Sequence, residues 1–157
     1  MTVYPLSFLR VGRHGAPSGK RVLDLTLILL ALPVLLPVFA LLALLVRVTS
    51  RGPVFFVQTR IGRGGVPFGM VKFRSMVPEA EALRAGLLAQ SDREGLCFKS
   101  RGDPRVTGFG RFLRRSSLDE LPQLINVWKG EMSLVGPRPA LPEEVAAYPA
   151  RARRRLE

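Results

Sequence analysis

Metal-ligating and redox-active residues are scarce in this chain. Among 157 residues there is one Cys, Cys97, and one His, His14. A single Cys excludes an intramolecular disulfide framework. One Cys with one His also excludes a zinc site built within one chain from those two ligand types. Acids are few as well: 12 Asp plus Glu stand against 24 Lys plus Arg, for a net charge of +12. No Walker A loop is present. The glycine-rich GRGG at 62–65 lacks the Lys-Ser/Thr ending and reads as a hairpin turn. No internal repeat or low-complexity tract is visible, which sets aside repeat architectures. His14 falls in a loose lead and reads as surface, Cys97 has no neighbouring His to activate it, and Trp128 reads as core.

What remains is basic and partly very apolar. The length suits one ordinary domain. Hydrophobic residues make up 47%, and the mean hydropathy is +0.18. Disorder is thereby excluded as a description of the whole chain. Of the cations, 20 are Arg and 4 are Lys. Such a charge selects anionic partners: nucleic acid, phosphorylated small molecules or an anionic membrane surface. Nucleic acid fits poorly, because the cations are neither interleaved with aromatics nor set in a helix-turn-helix pattern.

Leu25 to Val46 is 22 residues without a charge. As a helix it would be roughly 33 Å long, enough to cross the hydrocarbon core. It exceeds the apolar region of a cleaved signal peptide and has no small-residue cleavage site before Arg47, so a retained membrane segment is expected. Pro33 and Pro37 lie near its middle, on one helix face, and predict a kink or break. Both flanks are basic. Arg10, Arg13, Lys20 and Arg21 precede the run; Arg47, Arg51, Arg60 and Arg63 follow it. A spanning helix should be basic mainly at one end, so equal flanks favour a helix that enters, bends and returns, with an ordinary kinked span as the alternative. Asp24 lies near the entry, four residues after Lys20, close enough to pair with it.

Three regions follow: a basic lead at 1–19, the membrane helix at 20–48 and an extramembrane region at 49–157. Val54 to Thr59 has strand composition, the glycines at 62, 64 and 65 supply a turn, and Phe68 to Met76 reads as a second strand carrying Lys72 and Arg74 on one side. Pro78 opens a helical stretch, EAEALRAGLLAQ, with acids in its first turn. Residues 91–104 read as a loop. Thr107 is a candidate cap for a short helix bearing Arg111, Arg114 and Arg115. In SSLDELPQLINVWKG, Leu121, Leu124, Ile125 and Trp128 recur at helical spacing and Gly130 is a plausible stop. A rigid, turn-rich SLVGPRPALPEE and an Arg-rich tail complete the chain.

The chemistry centres on Asp119 and Glu120, adjacent acids among arginines. One reading is structural: Ser117 to Glu120 as a capping box, or Asp119 as the cap, which places Pro122 within the first turn. The other is functional. An Asp carboxylate can attack phosphorus or hold a divalent cation on a diphosphate, while cations hold phosphate oxygens. Lys72 and Arg74 can bind phosphate or cover a strand's solvent face; Arg114 and Arg115 can meet phosphate or lipid headgroups. Pro137 and Pro139 flank Arg138 and fix the direction of its guanidinium, which suits phosphate or carboxylate recognition or a rigid surface turn.

Taken together, KRVLDL, GPVFFVQTRIGRGG, VKFRSM and the long DPRVTGFGRFLRRSSLDELPQLINVWKGEMSLVGPRP resemble the bacterial sugar transferases, the monotopic polyprenyl-phosphate phosphoglycosyl transferases. The resemblance covers Lys20 to about Tyr148. It implies an α+β, mostly helical fold with one re-entrant membrane helix broken at proline, a small β-hairpin and amphipathic helices at the membrane surface. It implies transfer of a phosphosugar from a UDP-sugar to undecaprenyl phosphate, which starts assembly of a bacterial glycan, with Mg²⁺ as cofactor and a covalent aspartyl phosphosugar intermediate. It makes Asp119 the nucleophile beside the metal and gives Glu120 a supporting role in metal binding or proton transfer. Arg114 becomes a phosphate contact, Pro137, Arg138 and Pro139 a contact to the nucleotide end, and Pro37 the point of the helix break, with Leu36 where the family has Ser. It places the protein in the inner (cytoplasmic) membrane among its lipids, with the active site on the cytoplasmic face. A homo-oligomer is compatible with it. The family continues past this point with further segments, so a C-terminally shortened chain is expected. The alternative function is a non-catalytic truncated homologue that binds membrane, lipid or a longer partner.

Overall fold

In a computed structural model of the chain, the residues described are 18–80, 82–83, 103–149 and 152. The lead through residue 17, most of the helix expected after Pro78, the 91–104 loop up to residue 102, and the arginines of the tail lie outside them. So do His14 and Cys97.

The apolar run forms one helix, α1 (Ser18–Thr49). It stays helical through Pro33 and Pro37, so the expected break at Pro37 interrupts hydrogen bonding without ending the helix. The two rings lack the N–H groups that would have met the carbonyls of Leu29 and Pro33. Leucine-rich turns on either side keep the backbone helical. Only 11% of its most apolar stretch is buried, and Leu30, Val34, Leu36, Leu41 and Leu44 are exposed. The core helix of a water-soluble domain would hide such residues, since each buried one contributes about 1.5–3 kcal/mol. Among the described residues this is the one helix long and apolar enough to cross a membrane.

A hairpin follows. β1 (Phe55–Ile61) and β2 (Pro67–Phe73) form a two-stranded sheet. A 3₁₀ turn at Arg63–Gly65 joins them, with Gly64 and Gly65 at φ 68° and 76°, where a side chain would be strained. Among the described residues, three short α-helices follow: α2 (Gly108–Ser116), α3 (Gln123–Lys129) and α4 (Pro142–Ala146). The composition is mostly helical with one small sheet, the expected α+β class.

Contacts divide the chain into two compact units: one of Met1–Pro33, Val57–Val71 and Gln123–Glu157, the other of Val34–Phe56 and Lys72–Pro122. In the first, the opening turns of α1 are held by polar bonds. Arg21 donates to the carbonyls of Val127 and Trp128 at the end of α3, and Lys20 donates to the carbonyl of Val135. Cations are favoured at a helix C-terminus. Asp24 is 3% exposed and accepts from Ser133 Oγ at 2.7 Å. The Lys20–Asp24 pairing expected from sequence is therefore replaced by two separate partners, because residues 133–135 bring both a hydroxyl and a free carbonyl to this turn.

Asn126, fully buried, fastens α3 to β2. Its side chain accepts from Val71 N at 3.0 Å and donates to Gly69 O at 2.7 Å and Glu131 Oε2 at 2.6 Å. α3 stops at Gly130 (φ 85°) as expected, but its apolar spacing misled in one respect. Asn126 and Val127 are buried while Trp128 is 52% exposed.

The second unit has an apolar core of Leu42, Val46, Phe73 and Leu113. The rings of Phe39, Phe55 and Phe73 meet beside it with centroids 4.9–5.8 Å apart. The second half of α1, the end of β2 and α2 are thus one packed body, and the catalytic candidates rise from it.

Candidate active site

Residues just after β2 pair with the turn that leads into α2. Met76 bridges Val106, Val77 N donates to Arg105 O at 2.9 Å, and Thr107 N donates to Ser75 O at 3.1 Å. The turn is set by a buried ion pair: Asp103 takes the Nε and Nη2 of Arg105 at 2.9 and 2.7 Å and caps its backbone N–H at 3.0 Å. This pair holds Asp103 below its ordinary pKa, chiefly through the hydrogen bond from Arg105.

Thr107 caps α2 as the sequence predicts, its Oγ1 accepting from Gly110 N at 2.9 Å. Gly110 lets the helix press on the chain beneath: a Cβ there would lie 2.0 Å from Ser75 O. Two turns along from Thr107, Arg114 donates from Nε to Ser75 Oγ at 2.8 Å.

α2 ends at Ser117, in the left-handed region at φ 58°, and a single 3₁₀ turn, Leu118–Glu120, presents the acid pair. The capping box expected from Ser117 and Glu120 does not form. Ser117 makes no side-chain cap, because its left-handed backbone ends α2 and reverses the chain. Glu120 meets Lys72 of β2 instead, at 2.9 Å. Pro122 is buried immediately before α3, where its missing N–H breaks no helical bond.

Asp119 is partly buried. Desolvation raises its pKa above the ordinary Asp value and Glu120 adds to this, while Lys72 and Arg114 pull it back. Arg114 reaches solvent, yet desolvation lowers its pKa, with Asp119 and Asp103 acting against that. Lys72, Arg114, Asp119 and Glu120 therefore form one electrostatic cluster. A carboxylate short of solvation, flanked by two cations, suits a diphosphate: the cations take its oxygens and the acid faces phosphorus or a metal.

Arg74 does not join them. It lies past the end of β2, 8% exposed, donating to Ser50 O at 2.7 Å at the end of α1 and packed against Gly52 (φ 115°). Its Nε and Nη1 are buried without partners, and burial lowers its pKa with Arg47 adding to the effect. The strand ends at Phe73, so the alternation that would have set Arg74 beside Lys72 ends there too. Pro137, Arg138 and Pro139 belong to the other unit. There the loop is fastened to β1: Ile61 N donates to Ala140 O at 2.9 Å and Arg60 Nη1 to Pro139 O at 3.1 Å. Arg138 itself is exposed. Rigidity of this loop was legible from its prolines; its anchor on β1 was not, because Arg60 lies 79 residues away. Ser75 and the Asp103–Arg105 pair also escaped sequence reasoning. A lone hydroxyl and a buried charge pair have no periodicity to reveal them.

No group of three or more acidic, His or Cys side chains that could cage a metal occurs among the described residues. The acid pair instead offers the one or two carboxylates that, together with substrate phosphates, suit Mg²⁺.

The profile of the bacterial sugar transferases matches residues 16–157. A UDP-glucose:undecaprenyl-phosphate glucose-1-phosphate transferase of Caulobacter vibrioides is 42% identical over 150 residues, covering 88% of this chain and 52% of that protein. An undecaprenyl-phosphate glucose phosphotransferase of Komagataeibacter xylinus is 48% identical over 124 residues, covering 79% of this chain and 21% of that one. An undecaprenyl-phosphate galactose phosphotransferase of Salmonella typhimurium is 46% identical over 104 residues, covering 62% and 21%. The chain spans between 21% and 63% of the length of these and the other curated relatives it matches. With a profile match over nearly its whole length and a membrane-type helix leading to a cation-flanked acid pair, the chain belongs to the bacterial sugar transferase family.

Proposed function

We propose that this protein transfers a sugar 1-phosphate from a UDP-sugar to undecaprenyl phosphate at the cytoplasmic face of the inner membrane, initiating glycan assembly. The observation that carries the reading is the Lys72–Arg114–Asp119–Glu120 cluster in a member of this family. Asp119, its pKa raised by burial, is a carboxylate with part of its solvation already removed before attack. One of its oxygens attacks the phosphorus that bears the sugar. The bond to the bridging oxygen breaks, and UMP leaves with that electron pair. The phosphate of undecaprenyl phosphate then attacks the same phosphorus, the acyl-phosphate bond breaks, and the Asp119 carboxylate is restored. Arg114 and Lys72 hold phosphate oxygens in both steps, and Lys72 keeps Glu120 in place. By resemblance to the family, Arg138 is the proposed contact to the nucleotide end. Mg²⁺, held by Asp119 with Glu120 in support, would offset the diphosphate charge.

The same reading takes α1 as embedded in the membrane, with the re-entrant course that the family resemblance implies. The relatives are named for different sugars, glucose and galactose among them, so the test uses a panel.

The test is UMP release from a panel of UDP-sugars by the protein in lipid with undecaprenyl phosphate and Mg²⁺, beside Asp119→Asn. Release by the native chain alone supports the transferase and names the sugar. Absence of release from folded, membrane-bound protein would overturn it in favour of a non-catalytic homologue.

A further inference from the structure

Ser75 stands out among the buried polar groups to which the mechanism gives no role. It is 7% exposed and sits one residue beyond Arg74, outside the regular strand. Its two polar ends do different things. The carbonyl is tied to the α2 cap by Thr107 N at 3.1 Å. The hydroxyl accepts from Arg114 Nε at 2.8 Å.

An arginine side chain carries five N–H donors, and their directions are fixed by one plane. A bond at Nε leaves the Nη1–Nη2 fork as the free end and sets the plane in which it points. With Nε taken, that fork is the edge left for a bidentate phosphate contact. Thr107, Gly110 and Arg114 follow one another at three and four residues, so all three share the face of α2 that lies on Ser75. Gly110 is what permits the approach, since a side chain there would meet Ser75 O. Behind this contact Asp103 is engaged by Arg105, whose Nε and Nη2 it holds, and it does not take the Arg114 Nε.

We propose that Ser75 is a positioning residue: its hydroxyl, pinned through its own backbone to the cap of α2, aims the free edge of the Arg114 guanidinium at the diphosphate. This rests on the phosphate-holding role given to Arg114 above. Without the hydroxyl, Arg114 keeps its charge and loses its direction. The expected loss is about tenfold in affinity for a diphosphate, the scale of one charge-assisted hydrogen bond.

The experiment is a double-mutant cycle on UDP binding, measured by calorimetry on the full chain in lipid nanodiscs, with UMP release measured separately. Ser75→Ala should weaken UDP binding about tenfold, leaving the thermal midpoint within a few degrees of native. In an Arg114→Ala background the same change should have no further effect, because Ser75 acts only through Arg114. A merely structural Ser75 would instead weaken binding equally in both backgrounds, and that additivity would overturn the proposal. UDP binding without UMP release would overturn the transferase reading alone, and the cycle would still decide on Ser75. Absence of UDP binding by the native chain would overturn both. If Ser75→Ala does not fold, side-chain ¹⁵N spectra of the native protein decide. The Arg114 Nε–H, identified by its loss in Arg114→Lys, should exchange with solvent at least tenfold more slowly than that of exposed Arg111. Equal exchange would overturn the proposal.

Discussion

Two glycines in the same short helix should respond to alanine with opposite signs. Gly108 and Gly110 both lie in the first turn of α2. Helix propensity alone makes either Gly→Ala change stabilising by up to about 1 kcal/mol. At Gly108 nothing lies within 4 Å of an added Cβ, so that gain should survive in part. At Gly110 the Cβ would stand 2.0 Å from Ser75 O and 2.7 Å from Ser75 C. Both are backbone atoms, and the carbonyl is held by Thr107 N at 3.1 Å. Ordinary contact needs the two to part by more than 1 Å, which breaks that bond and pulls Ser75 Oγ from Arg114. Two lost hydrogen bonds at about 1 kcal/mol each, with overpacking of about 1–3 kcal/mol, outweigh the propensity gain. The net cost should be roughly 2–4 kcal/mol, a fall in thermal midpoint on the order of 5–15 °C for a chain of this size. Thermal unfolding in one detergent would measure both variants against native. A Gly110→Ala protein as stable as Gly108→Ala would refute the close packing of α2 on Ser75, and with it the placement of Arg114.

Asp119→Asn should abolish turnover yet raise thermal stability at neutral pH in chelator. The folded pKa of Asp119 lies above its ordinary value of 3.8, so its ionised form costs stability once pH rises through that range. The advantage of Asn should therefore shrink as pH falls and vanish below about 3.8, where Asp119 is protonated folded or unfolded; a gain independent of pH would contradict the burial argument. Lys72→Met should cost about 1 kcal/mol or less, since the pair with Glu120 is partly exposed, while lowering UMP release at least tenfold; a large stability loss with normal turnover would reverse that assignment. Asn126→Leu should cost about 3 kcal/mol by denaturant unfolding, because Val71 N, Gly69 O and Glu131 each lose a partner; a neutral effect would show that α3 does not depend on this latch.

Local chemistry made several elements readable before folding. A 22-residue uncharged run is long enough to cross a bilayer as a helix, so a membrane-type helix was readable. Glycines at 64 and 65 mark a turn because they adopt positive φ at no cost. Thr107 was recognisable as a cap because the cap and its helix lie within three residues. The Asp119–Glu120 pair also stood out, but its environment did not. Local spacing favoured a capping box, and the fold placed Ser117 in the left-handed region and gave Glu120 to Lys72, 48 residues away. Arg74, two residues from Lys72, was drawn to the end of α1, and Trp128 to the surface, each against its sequence pattern. Periodicity reports which side chains share a face; it carries no information on what lies opposite that face. The apolar helix, the hairpin and the identity of the acid pair were therefore determined by sequence alone. Which cations flank Asp119, what holds Arg114 and where α1 is anchored were decided only when distant segments packed, because those bonds are made between residues the chain order does not bring together.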